Sequence, residues 1–182
     1  MLQLIVELVP ERWDEGKEEF VPAKTQTLQL EHSLVSVKKW ESKWNRSFLS
    51  SKKEMTIEET IDYIRCMTLT QNVKPEVYRK LSAQNIKEVN EYIQKPMTAT
   101  TFSDRGGKKP NNEIITAELI YYWMISLGIP IECQKWHINQ LITLIRVCSI
   151  KNTPPGKVNK NERIQQYAAL NAARRKQLNS KG

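Results

Sequence analysis

The chain has 182 residues, 40% of them hydrophobic, and a formal net charge of +8. That length fits one domain with an appendage, and that composition can build a core, which excludes a wholly disordered chain. Three cysteines are too sparse and too odd a set for a secreted disulfide scaffold, and the longest apolar run is about half a bilayer span, which excludes a membrane helix.

Residues 2–8 and 25–31 alternate apolar and polar positions and read as strands, with Leu28 and Leu30 on one face. Pro10, Gly16 and Pro22 lie between them, with Trp13 and Phe20, and read as a long turn. Ser33 is placed to cap a helix running from Leu34 to Trp44, whose Leu34, Val37, Trp40, Glu41 and Trp44 share a face. Thr56 and Glu59 form a capping box, opening a helix to about Met67 with Ile57, Ile61, Ile64 and Cys66 or Met67 inward. Pro75 suits the first turn of a short helix to Leu81. Ser82 or Asn85 then leads into a helix over 86–94, with Ile86, Val89 and Ile93 on one face.

Residues 98–113 are polar and rich in Gly, Pro and Asn, and are expected to be a mobile loop. Thr116 precedes the most apolar helix, 117–127, with Gly128 as its C-terminal cap before Pro130. A second long helix is expected over 131–150, burying Trp136, Leu141, Leu144, Ile145 and Cys148. The two form a helical hairpin at the hydrophobic centre. Thr153-Pro154-Pro155-Gly156 breaks the chain, and 163–178 reads as a helix by propensity. The fold expected is mainly α: a helical bundle with a small N-terminal β-hairpin and a basic C-terminal helix, divided into a body, 1–152, and an extension, 153–182.

No catalytic constellation stands out. Cys133 and His137 are four apart on the expected helix, but metal sites take three or four such donors, and no CxxC exists. As a nucleophile and base the same pair lacks an orienting third group. Glu58, Glu59 and Asp62 suit a helix start. Gly106-Gly107-Lys108-Lys109 lacks the spacing of a phosphate-binding loop. Trp40, Trp44, Trp123 and Trp136 fall at helical spacing and read as core. Neither enzymatic activity, a cofactor nor a bound metal is expected.

Charge is the remaining signal. Residues 151–182 hold eight basic residues against the single acid Glu162, a net +7, and the preceding 150 residues hold 20 basic and 19 acidic ones, a net +1. Such an end is solvated, binds nucleic acid, or pairs with an acidic or amphipathic protein segment. The first is the commonest outcome for a charge run, and two features bear on the other readings. Only Tyr167 offers a ring for stacking, and Ala168, Ala169, Ala172 and Ala173 give a small-residue face suited to helix packing. The candidate partner-binding residues are Arg163, Tyr167, Arg174, Arg175 and Lys176.

Longer stretches carry a resemblance. The run from Leu28 through Glu31, His32, Ser33, Lys38, Lys39, Trp40 and Glu41 to Trp44 is similar to a tail-module protein family of tailed phages (siphophages) infecting Gram-positive bacteria. So are Tyr121-Tyr122-Trp123-Met124-Ile125, Glu132-Cys133-Gln134-Lys135-Trp136-His137, and the ending from Leu170 through Arg174-Arg175-Lys176 to Asn179. The resemblance covers nearly the whole chain. It implies a tail assembly chaperone of the host cytoplasm, which binds the tape measure protein and tail-tube subunits, with self-association possible. The alternatives are a structural virion component, such as a head–tail joining or tail adaptor protein, and then a basic nucleic-acid-binding module.

Overall fold

The computed structural model describes residues 1–16, 18–102 and 113–152, together with 168, 171 and 174. Four strands come first: β1 (Leu2–Val9), β2 (Arg12–Asp14), β3 (Glu19–Val21) and β4 (Lys24–Leu30). β1 and β4 pair antiparallel from Leu2↔Leu30 to Val9↔Lys24, with an irregularity between Glu7 and Val9. Strand side chains alternate between faces. Leu4, Val6, Leu28 and Leu30 therefore share one face and are wholly buried, while Gln3, Ile5, Thr27 and Gln29 lie on the other and are exposed.

The outer edge of β4 is paired. Residues 67–70 run beside it: the Leu69 amide donates to the Gln29 carbonyl at 2.7 Å, and the Glu31 amide to the Met67 carbonyl at 3.0 Å. The Gln29 amide donates to the Thr70 hydroxyl at 2.8 Å. Covering an edge in this way removes a template for unwanted strand pairing.

Among the described residues up to Asn152, six α-helices follow: α1 (Leu34–Trp44), α2 (Ile57–Met67), α3 (Pro75–Arg79), α4 (Ala83–Gln94), α5 (Ala117–Ser126) and α6 (Ile138–Asn152). The capping residues set their starts. Ser33 and Ser36, Thr56 and Glu59, and Ser82 and Asn85 each exchange side-chain and backbone hydrogen bonds across the first turn. Asn45 closes α1 at φ 49°. Gly128, at φ 65°, closes α5, where the Ile129 amide donates to the Met124 carbonyl at 2.8 Å. α4 packs on β1, and α1 packs against both α2 and α5.

The expected helical bundle is overturned. About 50% of the described residues are helical and 17% strand, in two small antiparallel sheets with six helices. The physical reason is the apolar face of β1 and β4, which is part of the core itself. Trp40, Tyr63, Ile64, Met67, Val89 and Ile120 bury alongside it.

The helical hairpin at the centre is also corrected. Residues 131–135 form a 3-10 turn, Trp136 is extended at φ −71°, ψ 162°, and α6 starts only at Ile138. Backbone pairing decides this. Ser33 and His137 form an antiparallel bridge, and the Ile138 amide donates to the His32 carbonyl at 2.7 Å instead of to its own helix. The tertiary bond replaces the local one, and Trp136 is left 42% exposed.

Two helix faces differ in part from expectation: Ile64, Met67 and Val89 are inward as expected, but other inward positions are not. On α2, Ile57 is 75% exposed, while Glu59, Tyr63, Ile64 and Met67 are buried. On α4 the buried residues are Asn85, Val89 and Tyr92. In each case a polar or aromatic side chain with a hydrogen-bond partner takes the inward position, which an apolar count cannot register.

The chain divides into two units, Met1–Val147 and Cys148–Gly182. Everything above through Val147 belongs to the first. In the second, the described residues are the end of α6 and Ala168, Asn171 and Arg174, all three helical and exposed. Of the loop expected over 98–113, residues 103–112 lie outside the described residues, and 98–102 and 113 carry no regular secondary structure.

Candidate functional site

Of the five residues singled out at the basic end, Arg163, Tyr167, Arg175 and Lys176 lie outside the described residues. Arg174 is helical and exposed, as are Ala168 and Asn171 at successive three-residue steps before it. That spacing keeps them on neighbouring positions of a helix surface.

A second charged surface was missed as a turn. β2 and β3 pair antiparallel, with Arg12↔Val21, Trp13↔Phe20 and Asp14↔Glu19 in register. The Asp14 carboxylate accepts from the Gly16 amide at 3.0 Å and fixes the turn. Trp13 and Phe20 meet edge to face, ring centroids 4.8 Å apart at 67°. This is the geometry that aromatic quadrupoles favour. Yet the rings are 49% and 67% exposed. Residues 11–20 carry Glu11, Asp14, Glu15, Glu18 and Glu19 against Arg12 and Lys17, a net −3. Exposed ring faces on a ribbon of net negative charge suit an ammonium or guanidinium group. The available signal was two aromatic residues flanking a Gly-containing acidic turn; strands of three residues are too short for periodicity to reveal.

Cys133 and His137, weighed for metal binding, are both buried. His137 belongs to a cluster that no sequence spacing could disclose. Its Nε2 lies 3.2 Å from the Tyr92 carbonyl, which can only accept, so the proton sits on Nε2; Nδ1 accepts from the Asn139 amide at 3.3 Å. His32 stands edge to face with His137 at 5.0 Å between centroids, and its Nδ1 lies 2.5 Å from the Tyr63 hydroxyl. Burial, with His137 beside it, pushes His32 down to about 3, and burial also lowers His137. Burial raises the Tyr63 hydroxyl well above its ordinary value. The chain's two histidines thus form a neutral pair that joins β4 to α6. Among the described residues no group of three or more His, Cys, Asp or Glu side chains is placed to hold a metal.

The polar cavity beside the end of α1, about 260 Å³, is lined by Glu41, Asn45, Arg46, Thr116 and Glu118 among others. The fold accounts for part of its chemistry, but the Arg46 Nε and Nη2 are buried there without a hydrogen-bond partner among the described residues. The buried Glu41 carboxylate accepts from the Phe48 amide at 2.8 Å and the Ala117 amide at 2.7 Å, tying α1 to the start of α5. The Arg46 guanidinium lies 5.2 Å from the Trp40 ring and 3.3 Å from Glu59. The Thr56 amide and Arg46 hold the Glu59 carboxyl below its usual range. Two carboxylates in one small cavity do not favour an anion.

No helix among the described residues is long and apolar enough to cross a membrane. No protein-family model, no curated protein and no solved structure matches the chain.

Proposed function

We propose that this chain is a non-enzymatic binding protein of phage assembly, a tail assembly chaperone that acts in the host cytoplasm on the tape measure protein and tail-tube subunits. The observation that carries the binding role is the charge partition, +7 over residues 151–182 against +1 over the rest. The exposed Arg174 is part of that basic end. A cationic segment on a nearly neutral body finds an acidic partner through long-range attraction and is selective through its own spacing. The tail-assembly assignment rests on the resemblance of residues 28–44, 121–125, 132–137 and 170–179 to the siphophage family.

The experiment is co-purification from infected cells with the full chain and with an Arg174→Glu/Arg175→Glu/Lys176→Glu variant, partners being identified by mass spectrometry. The reading predicts tape measure or tail-tube protein with the full chain, less with the variant, and no copy of this chain in finished particles. The chain's presence in purified virions would establish the structural alternative instead. A shift of duplex DNA at physiological salt, lost in the variant, would establish nucleic-acid binding.

A further inference from the structure

Every copy of this chain carries two surfaces of opposite charge. One is the ribbon of β2 and β3, net −3 over residues 11–20, with Trp13 and Phe20 exposed at its centre. The other is the segment 153–182, with seven basic residues against Glu162, a net +6. We propose that the ribbon docks the basic C-terminal segment of a second copy. Guanidinium and ammonium groups would lie over the Trp13 and Phe20 rings, with Glu15 and Glu18 at the turn and Asp14 and Glu19 on the ribbon's other face supplying the negative potential.

Three observations support the pairing. First, the ribbon's aromatic pair lies outside the core that holds the fold: Trp13 and Phe20 contact each other and stay about half exposed or more. Exposed rings on a regular scaffold are a contact surface in search of a partner. Second, the charges are complementary, and cations over aromatic faces add a contact that charge alone does not supply. Third, every copy offers both halves of the contact, an acidic ribbon and a basic end, and we assign the pairing to two copies. Such a contact is heterologous, because two different patches meet, and it closes when each copy's ribbon takes the other's end. Two part-exposed rings and the ribbon's charges make a small interface, so the association is weak and reversible.

The test is a charge swap in the full-length chain, read by light-scattering mass. Unmodified protein should gain mass with concentration at about 0.1 M salt and return to a single chain at about 1 M, where the Debye length falls from about 10 Å to about 3 Å. One variant reverses the ribbon, Glu15→Lys/Glu18→Lys/Glu19→Lys. Another reverses the end, Arg174→Glu/Arg175→Glu/Lys176→Glu. Each alone should stay a single chain, and their mixture should form a two-chain species, since the intact ribbon of one meets the intact end of the other. Trp13→Ala/Phe20→Ala should weaken self-association about tenfold. A synthetic peptide of residues 153–182 should compete with self-association of the unmodified chain, which tests the contact even if a variant misfolds. The proposal is overturned if the unmodified chain is a single species at every concentration, if association survives either reversal, or if the mixed variants fail to pair. Pairing within one chain would produce the first of these results, a single species at every concentration. None of these outcomes depends on the tail-assembly reading, whose test is co-purification.

Discussion

The described residues contain two antiparallel strand pairs, one nested within the other, and they differ in almost everything but pairing. β1 and β4 bury Leu4, Val6, Leu28 and Leu30 completely beneath helices. β2 and β3 are three residues each and expose their largest side chains, Trp13 and Phe20. An isolated two-stranded ribbon is marginal in water. The first pair is stable because helices and residues 67–70 complete it. The second has an aromatic contact and a carboxylate-fixed turn. The same backbone pattern therefore serves the core in one place and presents a surface in the other, and side-chain burial distinguishes the two.

The largest expected effect breaks the inner pair. Leu28→Ala should cost about 2–5 kcal/mol, the range for emptying a closed core site, and lower the urea midpoint accordingly. An unchanged midpoint would mean the inner face is not the core.

Acid should act on the same side of the molecule. Both histidines are buried with lowered pKa values, His32 to about 3. The unfolded chain takes up these protons near pH 6.5, and the folded chain only at lower pH. Their neutral burial costs no stability above about pH 6.5 and destabilises the fold as pH falls, for His32 down to about 3 at up to about 1.4 kcal/mol per pH unit. The facing groups on His137 include Glu31 and the Tyr92 carbonyl, both of which oppose its shift. Between pH 6.5 and 5, above the range where carboxylates titrate, His32→Asn should reduce the slope of stability against pH. A slope unaltered by that substitution would place the acid sensitivity elsewhere.

The smallest effect concerns the outer pair. Trp13→Ala/Phe20→Ala should shift stability by less than about 1 kcal/mol, because about half of Trp13 and two-thirds of Phe20 are already in water. A loss approaching that of Leu28→Ala would erase the distinction between the two strand pairs.

Much of this architecture was legible in the sequence where the signal was local. Ser33, Thr56 and the Leu34–Trp44 periodicity place α1 and α2 where they lie, and Gly128 closes α5 as its position suggests. Leu28 and Leu30 share the buried face that alternation assigns to them. What failed depended on distant partners. The helix expected over 131–150 is interrupted because Ile138 bonds to His32, about a hundred residues away in the chain. The inward faces of α2 and α4 include Glu59 and Asn85, polar residues made acceptable inside by Thr56 and by the Ile5 carbonyl. The histidine pair exists only once β4 and α6 meet. The acidic aromatic ribbon hid in a segment too short for alternation to show, so the candidate surface read from charge was the basic end alone.

Amide hydrogen exchange on the full-length chain tests the division between the two strand pairs most directly. At low concentration and about 1 M salt, β1 and β4 should be protected nearly to the level of global unfolding, with β2 and β3 exchanging through local opening. Raising the concentration at about 0.1 M salt should slow exchange in β2 and β3 and leave β1 and β4 unchanged. Equal protection of both pairs in the dilute chain, or a ribbon whose exchange ignores concentration and salt, would contradict the account.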